Sequence, residues 1–231
     1  MKWAKELSII VPIGKKDPSW TSLLKQLKKL PKDVEIIFSA SEPIEVNEKI
    51  KGQAQVKVVR GKEGRAKQLN LGASQSSRAL YWFLHSDSQL TPSSFQAIER
   101  AAQLANNGIF YFDLGFFDGP RWMAINSLGV WLRSHWLKLP FGDQGFLISK
   151  KLFWELGGYD ESALFGEDHL LIWKAHERGI PILPVRGKIL TSGRKYSQHG
   201  WLKTTIRHLS LTYQQAKAEC LRIYSQKKKA T

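Results

Sequence analysis

Ala79-Leu-Tyr-Trp-Phe-Leu-His-Ser-Asp-Ser88 is the stretch that decides the fold. Residues 80–84 form an unbroken apolar run rich in aromatics, the pattern of a strand buried on both faces of a sheet. The run stops at His85-Ser86-Asp87-Ser88, which sets polar groups at the strand's carboxyl end. Open α/β sheets bind ligands in the crevice at that end, and an acid there can hold a divalent cation against a phosphate ester. A plain turn would also use Asp and Ser, so this segment alone leaves both readings open.

Working outward, residues 7–12, 34–38 and 55–59 read as further strands. Residues 18–30 carry Trp20, Leu23, Leu24 and Leu27 on one helical face. A helix over about residues 64–76 leads into the deciding strand. Downstream, Thr91-Pro92 pairs an N-cap with a proline at the first helical position, opening a helix to about Asn106. Residues 109–117 read as a strand or a bent strand pair. Residues 120–139 read as a helix bearing Trp122, Ile125, Leu128, Trp131, Leu132 and Trp136; it could line an acceptor site, but core packing is the role expected for most of it. A strand over 144–149, a short helix over 151–156 and a helix over 167–178 follow, the last ended by Gly179 and Pro181. A strand at 182–185 and a long basic amphipathic helix close the chain. This alternation predicts an α/β fold: a Rossmann-like, mainly parallel twisted sheet with helices on both faces, plus the C-terminal helix. The expected division is one domain over residues 1–200 and a basic helix and tail over 201–231.

The 231 residues include nine Trp and are 42% hydrophobic, enough for a real core. A lone cysteine, Cys220, allows no intrachain disulfide, and the amino terminus does not read as a signal peptide. The expected location is therefore cytoplasmic. The net charge of +15 points to an anionic partner: nucleic acid, a membrane surface or a phosphorylated substrate. Zinc-ligand spacing, an RRM signature and a clear helix-turn-helix are all missing, which disfavours nucleic acid. Arg222 and Lys227-Lys228-Lys229 could touch an anionic inner membrane face at about 1 kcal/mol each. The resulting contact is weak, about millimolar, although Trp201, Leu202 and Ile206 could add to it; a solvated tail that only helps solubility is the other reading.

Four further runs carry candidate chemistry. Gly64-Arg-Ala-Lys-Gln-Leu-Asn-Leu-Gly-Ala73 opens a helix, where free amides and the macrodipole favour an anion; Arg65 and Lys67 could reach phosphate and Asn70 a sugar hydroxyl. A helix with solvated basic residues is the other reading. Pro140-Phe-Gly-Asp-Gln-Gly-Phe146 is a tight loop that could present Asp143 and Gln144 to a sugar, or use glycine for backbone geometry alone. Leu164-Phe-Gly-Glu-Asp-His169 puts Asp168 in a helix's first turn, where a carboxylate stays ionised and could take a proton, although acids are ordinary in first turns and many only stabilise the helix end. In Ser192-Gly-Arg-Lys-Tyr-Ser-Gln-His-Gly-Trp201, His199 could ligate a metal, although a lone His is more often packed or exposed.

The order of these runs resembles the family 2 glycosyltransferases of GT-A fold. The likeness spans about residues 7–207 and is strongest to a bacterial branch carrying Gly-Arg-Ala-x-Gln-x-Asn-x-Gly-Ala, Leu-His-x-Asp and Pro-x-Gly-Asp-Gln-Gly. It implies an inverting enzyme that moves a sugar from a UDP- or GDP-type nucleotide-diphosphate sugar to an acceptor hydroxyl, a lipid-linked one included. By the same likeness Asp168 is the general base. Pro12, Gly64, Arg65, Gln68, Asn70, His85 and Asp87 bind the donor, and Asp143, Gln144 and Glu167 the acceptor. Asp87, with His199, would hold Mg or Mn. Three features depart from the family pattern. His85 replaces the first Asp of the metal motif, as it does in that branch. The first strand ends Val-Pro-Ile-Gly-Lys-Lys-Asp17, and the second ends Phe38-Ser-Ala-Ser41 where a base-reading Asp is usual. The other reading is a non-catalytic nucleotide-sugar or nucleic-acid binding protein on the same fold.

Overall fold

Alternation along two central strands builds the molecule. The computed structural model describes residues 1–44, 55–104 and 108–230. In β1 (Leu7–Ile13) Ile9, Val11 and Ile13 face one side of the sheet and Ile10 the other. In β4 (Leu80–Phe83) Leu80 and Trp82 share the first side, and Tyr81 and Phe83 the second. A strand with apolar residues on both faces must be covered on both. On the first face lie α1 (Lys2–Glu6), α2 (Trp20–Leu27) and α4 (Pro92–Leu104); on the second lie α3 (Arg65–Ser74), α6 (Lys150–Glu155) and α7 (Glu167–Glu177).

The remaining strands are β2 (Glu35–Ala40), β3 (Gln55–Arg60), β5 (Gln89–Leu90), β6 (Ile109–Phe116), β7 (Leu147–Ser149) and β8 (Ile182–Thr191). Their order in one sheet is β3-β2-β1-β4-β7-β6-β8-β5. The β3-β2-β1-β4 half is parallel, as its crossover helices require. β7 is antiparallel to both neighbours, β6 and β8 are parallel, and β5 closes the far edge antiparallel. Helices α5 (Met123–Trp136), α8 (Arg194–His199) and α9 (Trp201–Ala230) complete the chain.

Pro12 is tolerated inside the sheet because β4 stops pairing with β1 at Ile10, so the missing N–H meets no strand. Thr91 caps α4 as expected: its Oγ1 accepts from the Ser94 N–H at 3.3 Å, while Ser94 Oγ accepts from the Thr91 N–H at 3.0 Å. Gly179 takes φ +65 after α7, and the Ile180 N–H donates back to the Ala175 carbonyl.

The structure lengthens one strand and recasts one helix. β8 runs to Thr191, beyond the expected 182–185, because pairing with β6 carries it through Pro184, Gly187 and a bulge opposite Tyr111–Asp113. Gln144 falls in a 3₁₀ turn, Gly142–Gln144, ahead of β7. The core packing expected for α5 is corrected: Trp122, Ile125, Leu128, Trp131 and Trp136 are exposed, and only Met123 and Ser134 of the helix are buried. The expected helix end at Asn106 and the side chains of Lys227 and Lys229 lie outside the described residues. Among the described residues no helix is long and apolar enough to cross a membrane.

α3 lies close on the sheet through Gly72, where a Cβ would come within 2.5 Å of Ile10 Cγ2. Gly72→Val is expected to cost about 1–3 kcal/mol through overpacking; a denaturation midpoint equal to wild type would contradict this helix–sheet contact.

Candidate active site

The carboxyl ends of β1, β4 and β6 and the amino ends of α3 and α7 meet at one place, and charged side chains gather there. Arg65, at the first position of α3, donates from Nε to Glu167 and lies 3.7 Å from Asp168 Oδ1 through Nη2. Burial opposes the charge on Arg65, and Asp168 and Glu167 outweigh it, raising its pKa above the ordinary value. Burial would raise Asp168, yet Arg65 and the Gly142 and His169 N–H groups hold it below the usual carboxylate range. Asp168 is therefore a committed anion.

Gly142 is required by contact. A Cβ there would stand 2.8 Å from Asp168 Oδ2 and 3.3 Å from His85 Nε2. Its backbone thus presses against both groups, with its N–H donated to Asp168. Gly145 takes φ +65 amid Ile189, Leu84 and Trp82. Asp143, directly after Gly142, has a buried Oδ1 with no hydrogen-bond partner among the described residues. Its pKa is pushed up to about 6, by burial first and by Asp168 and Asp87 as like charges, against the pull of Arg133 and Arg65. Asp87 and Asp168 are thus both among the charges that act on Asp143. Burial and then Arg65 push the His85 pKa well below its ordinary value, so its imidazole is neutral at pH 7.

Asp87 lies at the β4 end with Thr191 Oγ1 at 3.5 Å. Burial raises it, as does Asp17 nearby. Asp17 accepts from the Ser19 N–H at 2.9 Å and from the Ser86 hydroxyl at 2.5 Å. Two clefts open at this edge of the sheet. One of about 240 Å³ is lined by Asp87, Ser88, Asp118, Ser192 and Arg194. The other, of about 500 Å³, is lined by Gly64, Arg65, Lys67, Phe165 and Glu167.

The expected site residues divide into two groups. Arg65, His85, Asp87, Asp143, Glu167 and Asp168 converge. Others face the protein's own backbone: Gln68 Nε2 donates to the Ile13 and Ser39 carbonyls, at 2.7 and 3.0 Å, tying the ends of β1 and β2. Asn70 exchanges hydrogen bonds with Tyr159, and Gln144 Nε2 donates to the Phe112 carbonyl at 3.0 Å. Gly64 caps α3 with φ +129, and Pro12 sits buried in β1. His199 is exposed at the end of α8, and among the described residues no group of three or more His, Cys, Asp or Glu is assembled for a metal. What Asp87 and Asp17 offer is a hard-oxygen pair. That fits a Mg or Mn ion arriving with phosphate oxygens, since Mg is commonly held by one or two carboxylates plus substrate phosphates.

Two contributions escaped the sequence reading. Arg133 lies 3.4 Å over the Phe141 ring and donates to Gln144 at 3.3 Å, with Asp143 and Asp168 as its nearby charges. The available signal was its standing as the lone Lys or Arg in α5. Lys195 and Arg194 also act here: Lys195 opposes the rise of Asp87, and Arg194 helps lower Asp17 and lines the cleft at Asp87.

No protein-family model matches the chain, and neither does any curated protein sequence. Solved structures do. A mannosyltransferase from Pyrobaculum calidifontis, PcManGT, in complex with GDP-Man and Mn2+ is 18% identical with a TM-score of 0.66 over 92% of this chain and 64% of that one. S. aureus TarS 1-349 is 16% identical with a TM-score of 0.60, over 81% and 58%. GalNAc-T7 with UDP, GalNAc and Mn2+ is 14% identical with a TM-score of 0.60, over 80% and 43%. The chain thus spans 43% to 64% of the length of these three. The fold is the GT-A fold of glycosyltransferases.

Burial of ionised Asp143 disfavours the folded state, whereas its protonated form does not. Its raised pKa therefore contributes stability below about pH 4 that is lost as pH rises through about 6. Asp143→Asn should raise stability at pH 8 by at most about 3 kcal/mol, with the gain vanishing below about pH 4. Thermal melts across pH check this; a gain that grows as pH falls would contradict the assignment.

Proposed function

We propose that the protein is an inverting glycosyltransferase that takes a sugar from a UDP- or GDP-type nucleotide-diphosphate sugar and places it on an acceptor hydroxyl. The observation that carries this reading is the close approach of Gly142 to both Asp168 and His85, which sets the start of α7 against the β4 end that bears Asp87. Similar solved structures, one in complex with GDP-Man and Mn2+ and another with UDP, GalNAc and Mn2+, support a nucleotide-sugar donor.

In this reading Asp87, with Asp17 nearby, would hold a Mg or Mn ion at the diphosphate end of the donor, and His199 stands as a further candidate ligand. Such an ion, when bound, neutralises the charge that develops on the departing nucleoside diphosphate. The acceptor oxygen forms its bond to the anomeric carbon while the bond from that carbon to the diphosphate oxygen breaks, inverting the centre. Asp168 accepts the hydroxyl proton. Its low pKa suits a late transfer, when the attacking oxygen has become strongly acidic. Arg65 holds Asp168 ionised and in place, and with Glu167 it closes the acceptor side. Neutral His85 offers its ring to the sugar rather than a second anion to the metal. Asp143 and Gln144 shape the loop that meets the acceptor, and Pro12, Gly64, Gln68 and Asn70 set the strand ends and helix start on which the donor rests.

One observation favours a second assignment of the base. Asp143, at about 6, lies closer to working pH than Asp168, and its Oδ1 has no partner among the described residues. General bases work best near the operating pH.

The two assignments separate by kinetics. Asp168→Asn should lower kcat by roughly 10²–10⁴-fold with donor affinity retained, while Asp143→Asn should mainly raise the acceptor KM. The reverse pattern would move the proton to Asp143. Asp87→Ala is expected to abolish Mn-dependent binding of UDP or GDP. If that variant binds nucleotide equally with and without Mn, Asp87 leaves the donor site. Tight binding of an oligonucleotide with no binding of any nucleotide would remove the transferase reading altogether.

A further inference from the structure

The solvent-facing positions of α5 are Ala124, Ile125, Leu128, Gly129, Trp131 and Trp136, and none of them is polar. Water covers side chains that a soluble helix would normally bury, Leu128 at 57% exposure and Trp136 at 74%. Directly alongside, α9 shows Leu202, Ile206, Leu209 and Tyr213, also exposed. At about 100° per residue these four fall within roughly 60° of one another, a single stripe. The two helices are fixed together: Asn126 Nδ2 donates to Thr205 Oγ1 at 3.1 Å, Trp201 Nε1 donates to Asn126 Oδ1, and the Trp122 and Trp201 rings lie 6.1 Å apart. Thr205 lies on one side of the α9 stripe and Lys203 and Arg207 on the other. The apolar faces of the two helices therefore adjoin, with cations at the rim.

Charge selects the occupant. Residues 119–142 and 201–218 contain no Asp or Glu, while Arg121, Lys203, Arg207 and Lys217 are exposed there. A second copy docking by two-fold symmetry would set the same acid-free rims against each other. Nucleic acid would leave the Trp, Leu and Ile side chains in water. An anionic lipid bilayer satisfies both halves: apolar and Trp side chains enter the headgroup–acyl boundary, and the basic rim meets lipid phosphate.

We infer that the joined α5–α9 face docks on an anionic membrane surface. The inner side of α5 carries Arg133 against the carboxylate site, so the docked face lies about one helix diameter, roughly 10 Å, from the chemistry. This deepens the transferase reading by placing the enzyme where a membrane-borne acceptor can reach it, and it rests on that reading only for its purpose.

The test uses the full chain with no donor or metal. Sedimentation with vesicles of phosphatidylcholine containing about one third phosphatidylglycerol should bring the protein down, with a blue shift in Trp emission; pure phosphatidylcholine should bind at least about tenfold more weakly. The double variant L128D/I206D, at exposed positions, should keep its melting temperature and lose at least about tenfold in vesicle affinity. No association with either vesicle overturns the proposal. So does a variant that binds as well as wild type, or a wild-type dimer by light scattering that the variant dissolves. Vesicle binding without sugar transfer would leave this proposal standing and count against the transferase reading alone. Transfer to a soluble acceptor without vesicle binding would do the opposite.

Discussion

The guanidinium of Arg65 binds two parts of the chain that lie 102 residues apart, and the candidate site exists because it does. At the first position of α3 a cation meets the positive end of the helix dipole, which is unfavourable. Glu167 and Asp168 occupy the first two positions of α7, where the dipole favours anions. Facing the two helix starts toward each other resolves both conditions: the acids neutralise Arg65, and Arg65 keeps the acids charged while buried. Removing one partner of such a set leaves an uncompensated charge, which is far costlier than the net worth of the pair. The consequence reaches beyond stability, because the joined helix starts bring Asp168 near His85, at the β4 end that also bears Asp87.

The loop between α5 and β7 completes the cleft by close approach. Gly142 lets backbone pass where a side chain would strike Asp168 and His85, and Asp143 follows it under the influence of Asp168 and Asp87. The result is a graded set of acids. Asp168 is held low, Asp143 is held near 6, and Asp87 is raised by burial and by Asp17, short of the positive charge that a diphosphate-bound cation would supply. Unequal environments around like groups are the usual means by which one cleft divides binding from proton transfer.

Much of the architecture was legible because the determining signals are local. The aromatic run of β4 named a strand buried on both faces, Thr91-Pro92 named a helix start, and Gly179 named a helix stop. What escaped depends on partners remote in sequence. β8 is carried past Pro184 and Gly187 by its pairing with β6. Gln68, Asn70 and Gln144, polar residues in runs rich in glycine and charge, read as ligand contacts but are used on backbone groups of β1, β2, the Tyr159 segment and β6. Arg133 is one cation in an apolar helix, and only the tertiary structure turns it toward Asp143. The same helix shows why periodicity misled. A sequence apolar nearly all round carries no mark of which side is covered, so Trp131 and Trp136 read as core when they face outward.

The claim on which the account rests is that a single cleft holds a nucleotide-diphosphate sugar between Asp87 and Asp168. The most direct measurement is a crystal structure of the protein grown with Mn and UDP or GDP, with the metal located by its anomalous signal. The account predicts the anomalous peak on the Asp87 carboxylate, the diphosphate against it, and Asp168 facing the space left for the sugar. A nucleotide bound with its metal away from Asp87, or with Asp168 turned to a different surface, would contradict it.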